Sequence, residues 1–391
     1  MLSNLKKQTA ENFPIHLDFQ ATTPCACEVI EAMAPFWSDQ WGNASSKQHR
    51  EGLKAAAAVN LAREKLASWF NVNPKQIIFT SGATEANNLA LLGHARAKAK
   101  LLKKKGHLIT LRTEHHAVLD PMRQLQAEGF ELTEIQPEPD GLLKLDKLIQ
   151  ACKKETLIVS IMVANNEIGV IQNTQEIAEI CQKKGITFHS DISQAFGNLK
   201  THSHFSGPDL MCLSAHKIYG PKGIGALVMN QEIILEPLHW GGGQENGIRP
   251  GTLPVPLIIG LAKAAELAMS GLNERSNRLK MLRNQLWENL KRGTPDLLLN
   301  GCLENRLPNN LNFTVTGVSG SQLHRALRRF VSCSSGSACT RGLPSHVLIA
   351  LGRTKKEAEA SLRLSLGRDT TLEEINRASM EISKVIYELR N

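Results

Sequence analysis

The chain has 391 residues, 42% of them hydrophobic, enough for two packed domains with separate cores. No apolar run approaches the roughly 20 residues needed to cross a bilayer, and the start MLSNLKKQTAENFP lacks the apolar stretch of a secretory signal. A cytoplasmic protein without a membrane segment is therefore expected. A formal net charge of +9 raises the possibility of nucleic-acid binding. Much of the excess lies in ARAKAKLLKKKGH (95–107), where lysines close a predicted helix and complement its dipole. Aromatic residues, at 5%, are not interleaved with basic ones as a base-stacking surface requires, so no direct nucleic-acid partner is expected.

In chain order, QIIFT (76–80) reads as a strand and TEANNLALLGHARAKAKLLKK (84–104) as a helix. HLITL (107–111), FELTEI (130–135), LIVSIMV (157–163), ITFHS (186–190), LMCLS (210–214) and IGALVM (224–229) read as further strands. Helices are predicted between several of them, over 117–129 and 174–185. Strand–helix alternation implies a mainly parallel sheet covered on both faces. Beyond GGGQENGIRPGTLPVP (241–256) the texture changes to a long helical stretch, 257–292, leading to a smaller α+β region. Its core would use NNLNFTV (309–315), a helix over 321–329, SLRLSL (361–366) and a C-terminal helix near 372–389. The expected division is a large domain over 25–256 and a small one made of 1–24 with 257–391.

Parallel sheets bind ligands beyond the carboxyl ends of their strands, so the residues there carry the chemistry. After QIIFT comes SGATEANN (81–88), a small-residue turn that opens a helix and aims free amides at an anion; Thr84 there is a helix cap or a phosphate ligand. RTEHHAVLD (112–120) leaves His115 or His116 near the rim, and ANNEIG (164–169) offers Asn165 as a ligand donor or a turn former. Asp191 and Gln194 follow ITFHS, and Lys217 stands at the end of LMCLS with glycines behind it. An amine held in a pocket can lose its proton and attack a carbonyl. Lysine, aspartate, histidine and a phosphate-binding turn together point to pyridoxal 5'-phosphate, whose ring nitrogen the aspartate would keep protonated.

Eight cysteines, Cys25, Cys27, Cys152, Cys181, Cys212, Cys302, Cys333 and Cys339, are scattered as expected of reduced thiols. Neither CAC (25–27) nor HSH (202–204) has a second pair at zinc spacing, so no metal site is expected.

The segments LDFQATTP, TSGATEANNLA, TEHHAVLD, NNEIGV, SAHKIYGPKGIGAL, RPGTLPV, SSGSACT and LRLSLGR resemble, in order and spacing, the cysteine desulfurases among the fold-type I pyridoxal phosphate enzymes, class V. The resemblance runs from about residue 15 to 385. It implies a large domain with a mainly parallel sheet plus a smaller α+β C-terminal domain. Lys217 would hold the cofactor and move the α-proton, Asp191 would pair with the pyridine nitrogen, and Gln194 and Asn165 would contact the ring's hydroxyl side. His115 would stack on the ring and relay protons, while Ala83, Thr84, Ser214 and His216 would hold the phosphate. Thr252 would reach the phosphate of a partner subunit, implying a homodimer, and Arg363 would receive the substrate carboxylate on its bidentate fork.

The same resemblance makes Cys339 the nucleophile that takes sulfur from L-cysteine as a persulfide and leaves alanine. Its thiol needs activation, since an ordinary cysteine is mostly protonated at neutral pH. Cys333 is read as structural. The sulfur would pass to an acceptor protein such as an iron–sulfur scaffold or a thiolation enzyme. TRGLPSHVL after Cys339 is shorter than in relatives with long mobile loops, and the chain ends at YELRN without a longer tail, which puts direct delivery to a scaffold in doubt. Lysis of selenocysteine, cystine or cysteine sulfinate on the same cofactor, and a non-catalytic binding protein on the same fold, are the competing expectations.

Overall fold

The computed structural model describes residues 14–200, 205–335 and 343–391. Its strands are β1 (Ile15–His16), β2 (Ile77–Thr80), β3 (His107–Leu111), β4 (Glu131–Ile135), β5 (Thr156–Ser160), β6 (Thr187–Asp191), β7 (Leu210–Ser214), β8 (Gly225–Met229), β9 (Leu298–Leu299), β10 (Asn310–Thr314), β11 (Val331–Ser332) and β12 (Ser361–Ser365). Seven form one sheet in the order β2-β8-β7-β6-β5-β3-β4. Every neighbouring pair in it is parallel except those made by β8, which runs antiparallel to both β2 and β7. All five residues of β3, β7 and β8 are buried, as apolar strands covered on both faces must be.

The helix Arg50–Phe70 packs on this sheet; the His49 side chain caps its start and Asn71, at φ 53°, ends it in the left-handed conformation. The helix Val255–Met269 buries Ile258, Leu261, Ala264 and Ala265 in the same core. The single helical stretch expected over 257–292 is therefore two helices. Ser270 is extended, Gly271 has φ 61°, and the chain turns by 69° into Leu272–Gly293. The second helix buries Leu279, Leu286 and Leu290 against a different core, built on the antiparallel sheet β12-β10-β9. The C-terminal helix Leu372–Arg390 joins that core through Ile375, Ala378, Ile382 and Ile386, one face at helical spacing, behind a Thr371–Glu374 capping box.

The helix expected over 84–104 is interrupted. Ala83–Asn88 and His94–Leu102 are α-helical, with a wider π-turn over Leu89–Gly93 between them. The basic run at its end is held by acidic and aromatic partners elsewhere in the chain: Lys100 pairs with Glu236, Lys104 with Glu155, and Lys105 lies 5.5 Å over the Phe130 ring.

The N-terminal segment joins the two cores. β1 pairs parallel with β11, and Ile15 and Leu17 lie in the smaller core, whereas Ala26 lies in the larger. Between them the chain crosses the mouth of the sheet, tied to the 216–219 loop by Thr23 and Ala26 amide bonds to the carbonyls of His216 and Tyr219. No single helix among the described residues is long and apolar enough to cross a membrane.

Candidate active site

A cavity of about 560 Å³ opens beyond the carboxyl ends of β2, β6 and β7. One end of it is the turn Ser81–Thr84. Gly82 has φ 155°, a conformation favouring glycine, and no side chain caps the helix it opens. The turn lies against β8 because Gly225 lacks a side chain: a Cβ there would stand 2.7 Å from the Gly82 Cα and 2.4 Å from the Leu213 carbonyl oxygen. Glu85 fixes the turn from behind, accepting from the Ser81 amide (2.6 Å) and from Arg249 Nε (2.7 Å). Ala83, Thr84, Ser214 and His216 all line this end. Burial, reinforced by the charges of Lys217 and Lys222, pushes the His216 ring down to about 4, so it is neutral at pH 7.

Lys217 sits on a short turn after β7, and its Nζ donates to the carbonyls of Gln20 (2.6 Å) and Ala21 (2.9 Å). Asp191, at the end of β6, accepts from Asn87 Nδ2 (2.7 Å) and from the Ser193 amide (2.8 Å). Both residues line the cavity, as does Gln194, whose Nε2 donates to the Gln20 carbonyl at 3.1 Å.

His115 caps the helix His116–Ala127: its Nδ1 accepts the Ala117 amide at 3.0 Å. That bond places the ring hydrogen on Nε2. Burial lowers the ring's pKa against the opposing charge of Asp191, so His115 lines the cavity as a neutral donor. His116 lies outward, against Asp120 and the His346 ring.

Of the two asparagines, Asn166 lines the cavity and Asn165 does not. Asn165 shapes the turn: its Oδ1 accepts the amides of Glu167 (2.8 Å) and Ile168 (2.9 Å), and its Nδ2 donates to the Thr113 carbonyl (2.7 Å). Asn166 Oδ1 is buried without a hydrogen-bond partner among the described residues. Thr252 is exposed and does not line the cavity of its own chain.

Arg363, on β12, lines the cavity with only 2% of its surface exposed. Its Nη2 donates to Asp18 Oδ1 (2.7 Å) and Ser334 Oγ (3.0 Å), and its Nη1 to the Asn166 carbonyl (2.9 Å). The fork expected to be open is thus partly occupied. Cys339 lies outside the described residues. Cys333 packs against the smaller core, and burial, with Asp18 nearby, pushes its thiol up to about 12, leaving it protonated and unreactive at neutral pH. Among the described residues no group of His, Cys, Asp and Glu is placed to hold a metal ion.

The class-V aminotransferase family model matches residues 15–378, nearly the whole chain and both of its cores. The chain belongs to the cysteine desulfurases of this family. It is 44% identical over 385 residues to the cysteine desulfurase IscS of Ehrlichia chaffeensis, covering 97% of this chain and 92% of that one. The cysteine desulfurase IscS of Serratia proteamaculans is 45% identical over 385 residues, covering 97% and 94%. Among solved structures, a NifS-like protein superposes with a TM-score of 0.89 at 33% identity, covering 96% of this chain and all of that one. SspA, solved in complex with cysteine, superposes at 0.77 with 34% identity over 90% of this chain and 98% of its own.

Several lining residues carried no separate signal in the sequence. Gln20, Ala21 and Thr22 form one wall, and Lys222 and Gly223 part of another. The first three belong to QATT (20–23), small and polar residues before a proline, and two of them act on Lys217 through backbone carbonyls that any residue possesses.

Proposed function

We propose that this chain is a pyridoxal phosphate-dependent cysteine desulfurase that converts L-cysteine to L-alanine and retains the sulfur on Cys339 as a persulfide. The observation that carries this reading is the convergence of Lys217, Asp191, His115 and Arg363 on one cavity whose far end is an uncapped helix start. The residues present fit the cofactor. The Ser81–Thr84 turn, Ser214 and His216 would hold its phosphate, Asp191 its ring nitrogen, and the unpartnered Asn166 Oδ1 and nearby Gln194 its hydroxyl side. When bound, pyridoxal phosphate supplies an electron sink for charge left on the substrate's α-carbon.

Lys217 Nζ, oriented by two carbonyls, holds the cofactor and then removes the α-proton. Asp191, fixed by Asn87 and Ser193, keeps its carboxylate in place as charge develops, without reorganising. His115 presents Nε2–H to the reacting groups, while its Nδ1 is held by the Ala117 amide. Arg363 receives the substrate carboxylate. The Cys339 thiolate attacks the substrate sulfur: the Cβ–S bond breaks, an S–S bond forms, and the hydrogen balance passes to carbon, so L-cysteine and a thiol become L-alanine and S–SH.

Thr252, exposed and outside the lining of its own cavity, suits a homodimer in which it reaches the partner's phosphate. The persulfide would go to a sulfur-acceptor protein in iron–sulfur cluster assembly or thiolation, in the cytoplasm. Alanine formation from L-cysteine under a thiol reductant tests the chemistry. The intact protein should form alanine, and Cys339→Ala should lose nearly all of that activity while keeping its cofactor absorbance. Equal rates would remove Cys339 from the mechanism and favour a lyase.

A further inference from the structure

Besides the Ser193 hydroxyl, two side chains that line the cavity carry buried hydrogen-bond donors without a partner among the described residues. One is Arg363, at Nε; the other is Gln20, only 2% exposed, at Nε2. Which end of the Gln20 amide is free follows from its neighbours. Arg306 Nη1 donates to Asn310 Oδ1 at 2.9 Å, so the end of Asn310 that reaches Gln20 at 2.6 Å is its nitrogen, which also donates to the Glu167 carbonyl. A donor there needs an oxygen opposite it. Gln20 therefore turns its Oε1 to Asn310 and leaves its Nε2 unpartnered.

Arg363 alone cannot grip a carboxylate with two parallel bonds as it stands. Each bidentate edge of a guanidinium includes Nη2, and both hydrogens of this Nη2 are committed, to Asp18 and Ser334. Nε is left to make a single bond, and the second carboxylate oxygen needs a donor from elsewhere. Gln20 is close by: its backbone amide donates to Ser365 Oγ at 2.9 Å, and Ser365 is two residues from Arg363 on the same face of β12.

We propose that Gln20 is the second donor to the substrate's carboxylate, Arg363 Nε binding one oxygen and Gln20 Nε2 the other. This rests on the reading that Arg363 faces that carboxylate. Gln20 then acts at both ends of the substrate. Its carbonyl orients the Lys217 amine and its side chain the carboxylate, so one residue sets the separation between reacting centre and carboxylate and selects α-amino acids over amines lacking the acid group.

Two ligands separate the possibilities on the holoenzyme: L-cysteine, and cysteamine, which is the same thiol amine without the carboxylate. Their binding is followed by cofactor absorbance, with KM and kcat for L-cysteine measured alongside. Gln20→Glu keeps an acceptor for Asn310 and replaces only the free donor; Gln20→Leu removes both. Each should weaken L-cysteine binding by about tenfold or more, the size of a lost hydrogen bond to a charged group, with Gln20→Glu the worse because it adds like charge. Cysteamine binding should change less than about twofold. Equal losses for both ligands, or no loss for L-cysteine in either variant, would overturn the proposal. Arg363→Ala is the control for the underlying reading: if it penalises the two ligands alike, the assignment of Arg363 falls, whatever Gln20 does.

Discussion

Replacing His189 should flatten the acid limb of the protein's stability curve. His189 is fully buried on β6, its Nδ1 2.8 Å from Ser160 Oγ on β5 and its Nε2 3.4 Å from Cys212 Sγ on β7. Burial pushes the ring from 6.5 to about 4, against the opposing charge of Asp191. The unfolded chain therefore binds a proton that the folded chain refuses throughout that window. The contribution of this ring is full above pH 6.5 and is lost as the pH drops towards 4. At 1.36 kcal/mol per pH unit, the interval from 6.5 to about 4 amounts to about 3 kcal/mol. His189→Gln loses some packing at every pH but cannot take up the proton. Its stability, measured by urea unfolding between pH 7.5 and 4.5, should therefore decline less steeply than that of the parent. Glu114, whose buried carboxyl is raised well above the usual range, works in the opposite sense but is common to both proteins and cancels in the difference. Parallel curves would refute the argument.

Two further substitutions probe the frame of the cavity. Glu245 accepts from Arg63 Nη1 (2.9 Å) and Nη2 (2.5 Å) and from the Phe79 amide (2.8 Å) on β2, in a stretch where Glu245 and Asn246 both have positive φ. Glu245→Ala strands Arg63, whose side chain is 15% exposed and keeps its bond to the Ile77 carbonyl, so it should lower stability in urea by about 3 kcal/mol, the lower end of the cost of breaking a buried pair, and a loss below about 1 kcal/mol would show that the pair is not coupled. Gly225→Ala should weaken retention of pyridoxal phosphate about tenfold or more, read from cofactor absorbance on dilution, because the new methyl displaces the Gly82 turn. Unchanged retention would mean that the turn does not hold the phosphate.

The large sheet was legible because its strands are short apolar runs bounded by turns, and the predicted HLITL and LMCLS coincide with β3 and β7. The 21-residue helix Arg50–Phe70 was not read, since its buried face consists largely of alanine and glycine and gives a weak apolar signal. A change of texture after residue 256 was visible, but the apolar helix that follows still packs on the large sheet. We propose to place the domain division at the bend between Met269 and Leu272. Within the site, Lys217 and Asp191 could be found from their places after strands, whereas Arg363 lies inside a strand and was reached only through family resemblance. Asn165 and Asn166 are chemically identical in sequence, and only the direction of one turn separates a structural side chain from a cavity-lining one. Gln20 was hidden because its neighbours in space come from the far end of the chain.

That last fact has a consequence for biosynthesis. The amide of Gln20 meets Ser365, and Asp18 meets Arg363, across 345 residues each, so the wall that orients Lys217 gains these two contacts only when nearly the whole chain has been made. At roughly 5–20 residues per second, the N-terminal segment stays without these partners for on the order of 20–70 s after it is translated. The strands of the large sheet, with Lys217 and Asp191, are all made before Arg363. Under the proposed function, a nascent or truncated chain that lacks β12 would also lack the proposed carboxylate ligand Arg363.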